Sequence, residues 1–300
     1  MNQESADNQT SSHGSAEEES FSSYGMTAGE VIAVTVLNSG ISVIGTISNI
    51  LVILAVLLNR QLRQTCTAIF LINLSFFDLI ICTVYAPMYI YDINYGSGAT
   101  FEAVRFRMGF GLFIGSLNGE FSVTLDRFIS ICLPYCYVAW MRKICITSVV
   151  FASWSIAISL TLLSLLTDTP LYSFFYIAVI IILIISFHVA MYLVSRREAK
   201  RIASQYPPEC QKFPFWNKSA KAVAMVAATS LLCWVPIAIL PAVVAPSSPS
   251  FKRCIKVTLA FTSLSAAVDP FIFCWRLSDF RLALCACLRK VRCMIRQKIK

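Results

Sequence analysis

The sequence predicts an all-α membrane protein, a bundle of seven transmembrane helices with a short amphipathic eighth, and three observations lead there. Hydrophobic residues make up 57% of the 300 residues and charged ones only 14%, where a water-soluble chain carries about 25% charged. Seven apolar stretches are each long enough to cross a hydrocarbon core, which takes about 20 helical residues for roughly 30 Å. The basic residues are also shared unequally between the connections, twenty of the 25 falling on one side of the seven stretches. That asymmetry is what orients a chain in a bilayer.

Taken in order, residues 1–29 are polar, rich in Ser, Asn and Glu, and hold no Lys or Arg. They read as a disordered extracellular tail, and they lack the basic start and short apolar core of a cleaved signal peptide. Asn8-Gln9-Thr10 is a glycosylation acceptor in that tail. Asn73-Leu74-Ser75 and Asn217-Lys218-Ser219 match the same pattern, but one falls within a span and the other on the cytoplasmic side. The spans are expected at 31–58, 67–91, 106–133, 144–167, 171–195, 220–245 and 254–275. The first, fourth and fifth carry no Asp, Glu, Lys or Arg, whereas Asp78, Glu120 and Asp269 interrupt the second, third and seventh. With the N-terminus outside, Arg60, Arg63, Arg127, Arg142, Lys143, the 196–221 connection and the tail after 275 lie inside. Only Arg105, Arg107, Lys252, Arg253 and Lys256 lie outside. The net charge of +9 is therefore a topology signal, a basic face beside anionic lipid rather than a nucleic-acid footprint.

The seven-helix domain is expected over 30–276, followed by an amphipathic helix near 277–289 and a basic tail to 300. Cys285, Cys287 and Cys293 sit in that basic amphipathic stretch, which suits S-palmitoylation; the alternative is unmodified thiols. Of twelve cysteines only Cys254 lies in an outer connection, with Cys82 in the outer half of a helix, so no extracellular disulfide framework is expected.

The polar residues inside the spans carry the functional signal. Asp126-Arg127-Phe128 ends the third span, and a charge at membrane depth is costly enough to mark function. Asp78 and Asp269 are two buried carboxylates that must be protonated, partnered, or neutralised by a cation. Pro236 and Pro270 each remove a backbone donor and bend a helix, either as working hinges or as passive kinks. His188 lies on an apolar face and reads as a packed residue, and His13 lies in the tail. No phosphate-binding loop, metal cluster or nucleophile triad suggests an enzyme. A transporter or channel would show an internal repeat or Gly-rich half-helices, and none is evident.

Landmarks recur along the chain in a fixed order: Gly45-Thr46-Ile47-Ser48-Asn49, Asn73-Leu74-Ser75-Phe76-Phe77-Asp78, Asp126-Arg127-Phe128 with Pro134 and Tyr137, Trp154, Cys233-Trp234-Val235-Pro236, and Asp269-Pro270-Phe271-Ile272-Phe273. From about residue 31 to 290 this resembles the rhodopsin-like (class A) G-protein-coupled receptors. The resemblance implies a multi-pass plasma-membrane protein with an extracellular ligand and, inside the cell, a heterotrimeric G protein and arrestin as partners. It implies no enzymatic activity and no cofactor, apart from an allosteric sodium ion framed by Asp78, Ser116 and Asp269; the alternative is one protonated carboxyl bonded to the other. It assigns the signalling switch to Asp126, Arg127, Tyr192, Trp234, Pro236, Asp269, Pro270 and Phe273. Arg127 is expected to rest on Asp126 and to release towards the G protein and Tyr192.

Several positions depart from the family pattern. Phe273 and Phe128 replace tyrosines, and Ser230 replaces a large aromatic. Glu120 stands two turns before Arg127 where an apolar residue is usual, so raised basal activity is expected. Trp216 and Lys218 stand where some members carry an acid, so no lock between the third and sixth helices is expected.

For the ligand, Gly109 stands where amine receptors carry an aspartate, and Ser263 where opsins carry the retinal lysine. Glu102 replaces the outer third-helix cysteine, the 168–171 connection is very short, and Ile184 replaces a proline. These absences resemble the branch holding melanocortin, lysophospholipid, cannabinoid and adenosine receptors. The acidic cluster of melanocortin receptors is only partly present, because Glu102 matches and Met88 and Phe106 do not. Arg105 and Lys256 match basic positions of lysophospholipid receptors, and would clamp a phosphate or carboxylate above an apolar pocket of Tyr85, Phe110, Phe113 and Trp234. The alternatives are that these aromatics are packed core and that the two cations snorkel to the outer headgroups. The balance leans to an anionic amphiphile over a basic peptide.

Overall fold

The structure, a computed structural model, describes residues 26–140, 143–167, 171–205, 215–245, 248–276, 280–282, 284–286 and 289. Its seven long helices are α1 (Ala28–Leu58), α2 (Cys66–Tyr95), α3 (Ala99–Cys132), α4 (Lys143–Thr167), α5 (Leu171–Gln205), α6 (Phe215–Val243) and α7 (Pro249–Arg276). Each helix sits where the hydropathy placed a span. Short helical pieces, Arg60–Arg63 and Pro134–Trp140, follow α1 and α3. By length and composition alone α1, α2, Cys145–Thr167, Leu171–Glu198 and Ser250–Trp275 are apolar enough to cross a membrane. In α3 the run is broken by Glu102, Arg105, Arg107, Glu120, Asp126 and Arg127. The helix expected at 277–289 is only partly described; Phe280 within it is buried in the apolar cluster at the Arg127 end, with Leu284 packed against it. Asn8, Cys287 and Cys293 lie outside the described residues, as do the side chains of Trp216, Lys218 and Ser230; Cys285 is exposed.

The bundle has an apolar exterior, unlike a protein built for water, and polar and charged groups are set within its largely apolar interior. Ile32, Val36, Phe151, Phe175, Ile182 and Leu232 are exposed, while Asn49, Asp78, Asp92, Arg105, Glu120 and Asp126 are buried. Such a surface is stable against lipid tails, and the buried polar groups must find partners within the bundle. Asn49 of α1 donates to the Ala266 carbonyl of α7 at 2.8 Å, and Trp154 of α4 donates to Asn73 of α2 at 2.9 Å. Asn118 of α3 accepts from Tyr176 of α5 at 2.6 Å.

Two local features set how α2 and α3 meet. A π-helical turn, Ile81–Tyr85, interrupts α2 just before Pro87, where the ring would strike the carbonyl four residues back and the missing N–H leaves it unbonded. On α3 a Cβ at Gly109 would collide with the Tyr85 ring, and one at Gly119 would come within 2.9 Å of the Leu74 backbone. Helix α2 then ends at Gly96, whose φ of 67° is open to glycine at little cost.

Candidate functional site

Three polar centres lie along the bundle. At one end Asp126, fully buried, meets Arg127 Nη2 at 2.9 Å, accepts from Thr67 at 2.7 Å and accepts from Tyr137 at 3.0 Å. Arg127 also donates to Thr67. Both carboxylate oxygens are thus occupied by α2, α3 and the Pro134–Trp140 turn. Burial and the Asp126 charge push the Tyr137 phenol well above its ordinary pKa, so it stays a donor. No described contact joins Tyr192 to this group, and Tyr192 is exposed. Phe128, in place of a tyrosine, stacks on Phe187 of α5 with ring centres 4.5 Å apart. Phe273 is buried in the apolar cluster of this end, beside Val52, Phe70 and Phe280.

Midway, Ser116 donates to Asp78 at 2.6 Å, and Asp269 of α7 lies near enough for the Asp78 and Glu120 charges to act on it. Glu120 of α3 is buried within electrostatic reach of both acids. One oxygen of Asp78 and one of Asp269 are buried with no hydrogen-bond partner. Among the described residues no group of three or more His, Cys, Asp or Glu side chains is arranged to hold a metal ion. Trp234 is buried one layer further along, edge-on to Phe113 at 6.3 Å, on the helix that contains Pro236 and also Pro241.

At the other end the centre is Asp92, which sequence reasoning missed. It is fully buried, with Oδ2 at 2.8 Å from Arg105 Nη2 and 3.7 Å from Lys256 Nζ, while Oδ1 accepts from Ser97. Lys256 also lies 3.5 Å from Glu102. The Arg105 guanidinium covers the Tyr89 ring at 5.0 Å, and Tyr89 donates to the Lys256 carbonyl at 2.5 Å. Arg105 and Lys256 therefore meet at Asp92, where both are buried and ion-paired and do not snorkel. The missed signal was spacing: Asp92 follows Asp78 by close to four helical turns, so it shares the inward face of α2, although the span was expected to stop at 91.

Beside this network is a cavity of about 480 Å³. Among the described residues four cations, Arg105, Arg107, Lys252 and Lys256, and one acid, Glu102, stand in its wall, and the rest of them are largely apolar, including Phe106, Leu171, Phe174 and Phe251. Of the aromatics expected to line a pocket, Tyr85, Phe110, Phe113 and Trp234 are not in that wall; they are packed beneath it as core. Phe174 joins the two regions, meeting Phe110 at 5.1 Å and Phe251 at 6.4 Å.

Residues 48–172 match the family model of the 7 transmembrane receptor (rhodopsin family). The chain is 25% identical over 299 residues to adenosine receptor A2a of Canis lupus familiaris, spanning 85% of this chain and 71% of that protein. It is 29% identical over 142 residues to cholecystokinin receptor type A of Oryctolagus cuniculus, spanning 46% and 31% respectively. It is also 23% identical over 296 residues to the alpha-1A adrenergic receptor of Oryzias latipes, spanning 80% and 63%.

Proposed function

We propose that this chain, a rhodopsin-like seven-transmembrane receptor, takes an anionic amphiphile at its Arg105 end and signals to a heterotrimeric G protein at its Arg127 end. The observation that carries the ligand reading is the cavity wall, with its four cations, single acid and otherwise largely apolar lining. The relatives' names point to three different ligands, so the ligand class has to come from the cavity's own chemistry. Basic residues suit a phosphate or carboxylate, and the apolar wall suits an acyl chain.

In the plasma membrane the N-terminus and cavity face outward, in keeping with the basic residues that gather at the Arg127 end. A ligand filling the cavity presses on Phe174, whose ring is in contact with Phe110 in the core. Trp234, Pro236 and Pro270 lie below, on the two helices that carry internal prolines. Occupancy shifts a population between packings; Arg127 leaves Asp126 and takes up contacts with Tyr192 and the G protein. Arrestin would read the same face. The orphaned oxygens of Asp78 and Asp269, with Ser116, suit a hard cation such as sodium, which would favour the Arg127-paired state. The chain itself catalyses no covalent chemistry.

The test is guanine-nucleotide exchange by co-expressed G proteins, driven by an 18-carbon monoacylglycerol phosphate. Exchange is expected to rise with the probe, to vanish in Arg127→Ala at equal surface level, and to need about tenfold more probe in Arg105→Ala, a loss of ~1.4 kcal/mol. A response lost in Glu102→Ala and kept in Arg105→Ala would point to a cationic ligand instead.

A further inference from the structure

The Arg105 end is held by one carboxylate with no counterpart among the landmark residues. Asp92 joins three helices, lying on α2, 2.8 Å from Arg105 of α3 and 3.7 Å from Lys256 of α7. Its two cations are themselves part of the cavity wall. Two buried cations need compensation within the bundle, because an uncompensated buried charge is strongly destabilising. Asp92 and Glu102 supply it.

We propose that Asp92 is the specificity-determining residue of this cavity: an internal anion with which the ligand's anion competes, so that its charge sets how far an anionic headgroup is preferred over an uncharged one. This rests on reading the cavity as an anion site. Arg105 is held closely, by Asp92 and by the Tyr89 ring. Lys256 is held more loosely, at 3.5 Å from Glu102 and 3.7 Å from Asp92, so it is the partner that turns to an incoming headgroup. Its backbone stays in place, because Tyr89 donates to the Lys256 carbonyl at 2.5 Å. A carboxylate arriving at Lys256 meets the Asp92 and Glu102 charges already there. A phosphate monoester brings more charge and three acceptor oxygens to the cations, and it meets the same two carboxylates more strongly. The neutral glyceride gains nothing from the cations and is indifferent to Asp92.

The experiment measures binding of three probes to the full-length receptor in nanodiscs of neutral lipid: an 18-carbon monoacylglycerol phosphate, oleate, and the uncharged monoacylglycerol. Inorganic phosphate is added as a competitor, to separate a free-phosphate site from a lipid-headgroup site. In Asp92→Asn, oleate is expected to bind about tenfold tighter, the phosphate probe to tighten at least as much, and the neutral probe to bind as in wild type, so that the preference for anionic over neutral probes widens. If Asp92→Asn fails to fold, Lys256→Met is compared with Asp92→Asn/Lys256→Met, which differ only in the charge at 92; tighter oleate binding in the double variant supports the role. Unchanged or weaker oleate binding in a folded variant overturns it, as does equal weakening of all three probes, the mark of a purely structural residue. If wild type binds neither anionic probe, the anionic-ligand reading falls and this role falls with it. If wild type binds both and the variants leave that preference unwidened, only the role of Asp92 falls.

Discussion

Asp126 shows how much of the switch a single side chain stores. Both of its oxygens are committed, to Arg127, Thr67 and Tyr137, so two hydroxyls fix the carboxylate in the orientation that receives Arg127. Each of those hydrogen bonds to a charged group contributes about 1.5–3 kcal/mol. Tyr137→Phe should therefore raise ligand-free nucleotide exchange several-fold without lowering surface expression, and Thr67→Val should do more, since Thr67 bonds both members of the pair. The pairing of Asp126 with Arg127 was legible in their adjacency; the hydroxyls were not, because Thr67 is distant in sequence and belongs to no landmark. Glu120 is the other informative residue. Read along α3 alone, it looks like a competitor for Arg127, yet it is buried within electrostatic reach of Asp78 and Asp269 of the neighbouring helices. Glu120→Leu removes one of three buried acids and is expected to lower ligand-free exchange and raise the thermal midpoint of the purified protein; unchanged exchange would leave Glu120 no part in basal activity.

Among the elements, α2 and α3 determine where the polar centres fall. Their close approach depends on glycines of α3 that accept the Tyr85 ring and the Leu74 backbone. At Gly119 the neighbour is main chain as well as side chain, so an added methyl cannot be relieved by a rotamer change. Gly119→Ala should cost about 1–3 kcal/mol, read as a lower thermal midpoint, and should loosen Asp78 from Ser116 on the same interface. Helix existence and order were plain in the hydropathy, since a run of about 20 apolar residues has few other uses. The π turn in α2 was not, because Pro87 announces a disturbance without saying how the helix absorbs it. The same gap hid the Arg105-end network: α2 continues to Tyr95, a turn past the end of the apolar run, and carries Asp92 inward with it. The aromatics misled for a related reason. Tyr85, Phe110, Phe113 and Trp234 point inward as their spacing implies, but the cavity forms above them, where Phe106, Phe174 and Phe251 stand.

For the molecule as a whole, the question is what holds the Arg105 end closed. The nine described cysteines are all free, and Glu102 stands at the position where the resembling family has its third-helix cysteine. Ion pairs act there instead. Glu30, which completes a capping box with Thr27 at the start of α1, reaches Arg253 of α7 at 2.6 Å, and Asp92 binds α3 and α7. The two ties differ in depth, and so they differ in strength. The Glu30–Arg253 pair is partly open to solvent and its attraction is screened by salt, whereas Asp92 is dry and its pairs are screened little. Treatment with a thiol reductant should therefore leave the thermal midpoint unchanged, high salt should lower it slightly and to the same value as Glu30→Gln, and Asp92→Ala should lower stability by about 3–5 kcal/mol because it strands the buried Arg105 and leaves Lys256 with Glu102 alone. A reductant-sensitive midpoint would mean that a cysteine bond outside the described residues closes this end. A salt-insensitive Glu30→Gln difference would mean that the α1–α7 tie works through helix capping, with Arg253 contributing little.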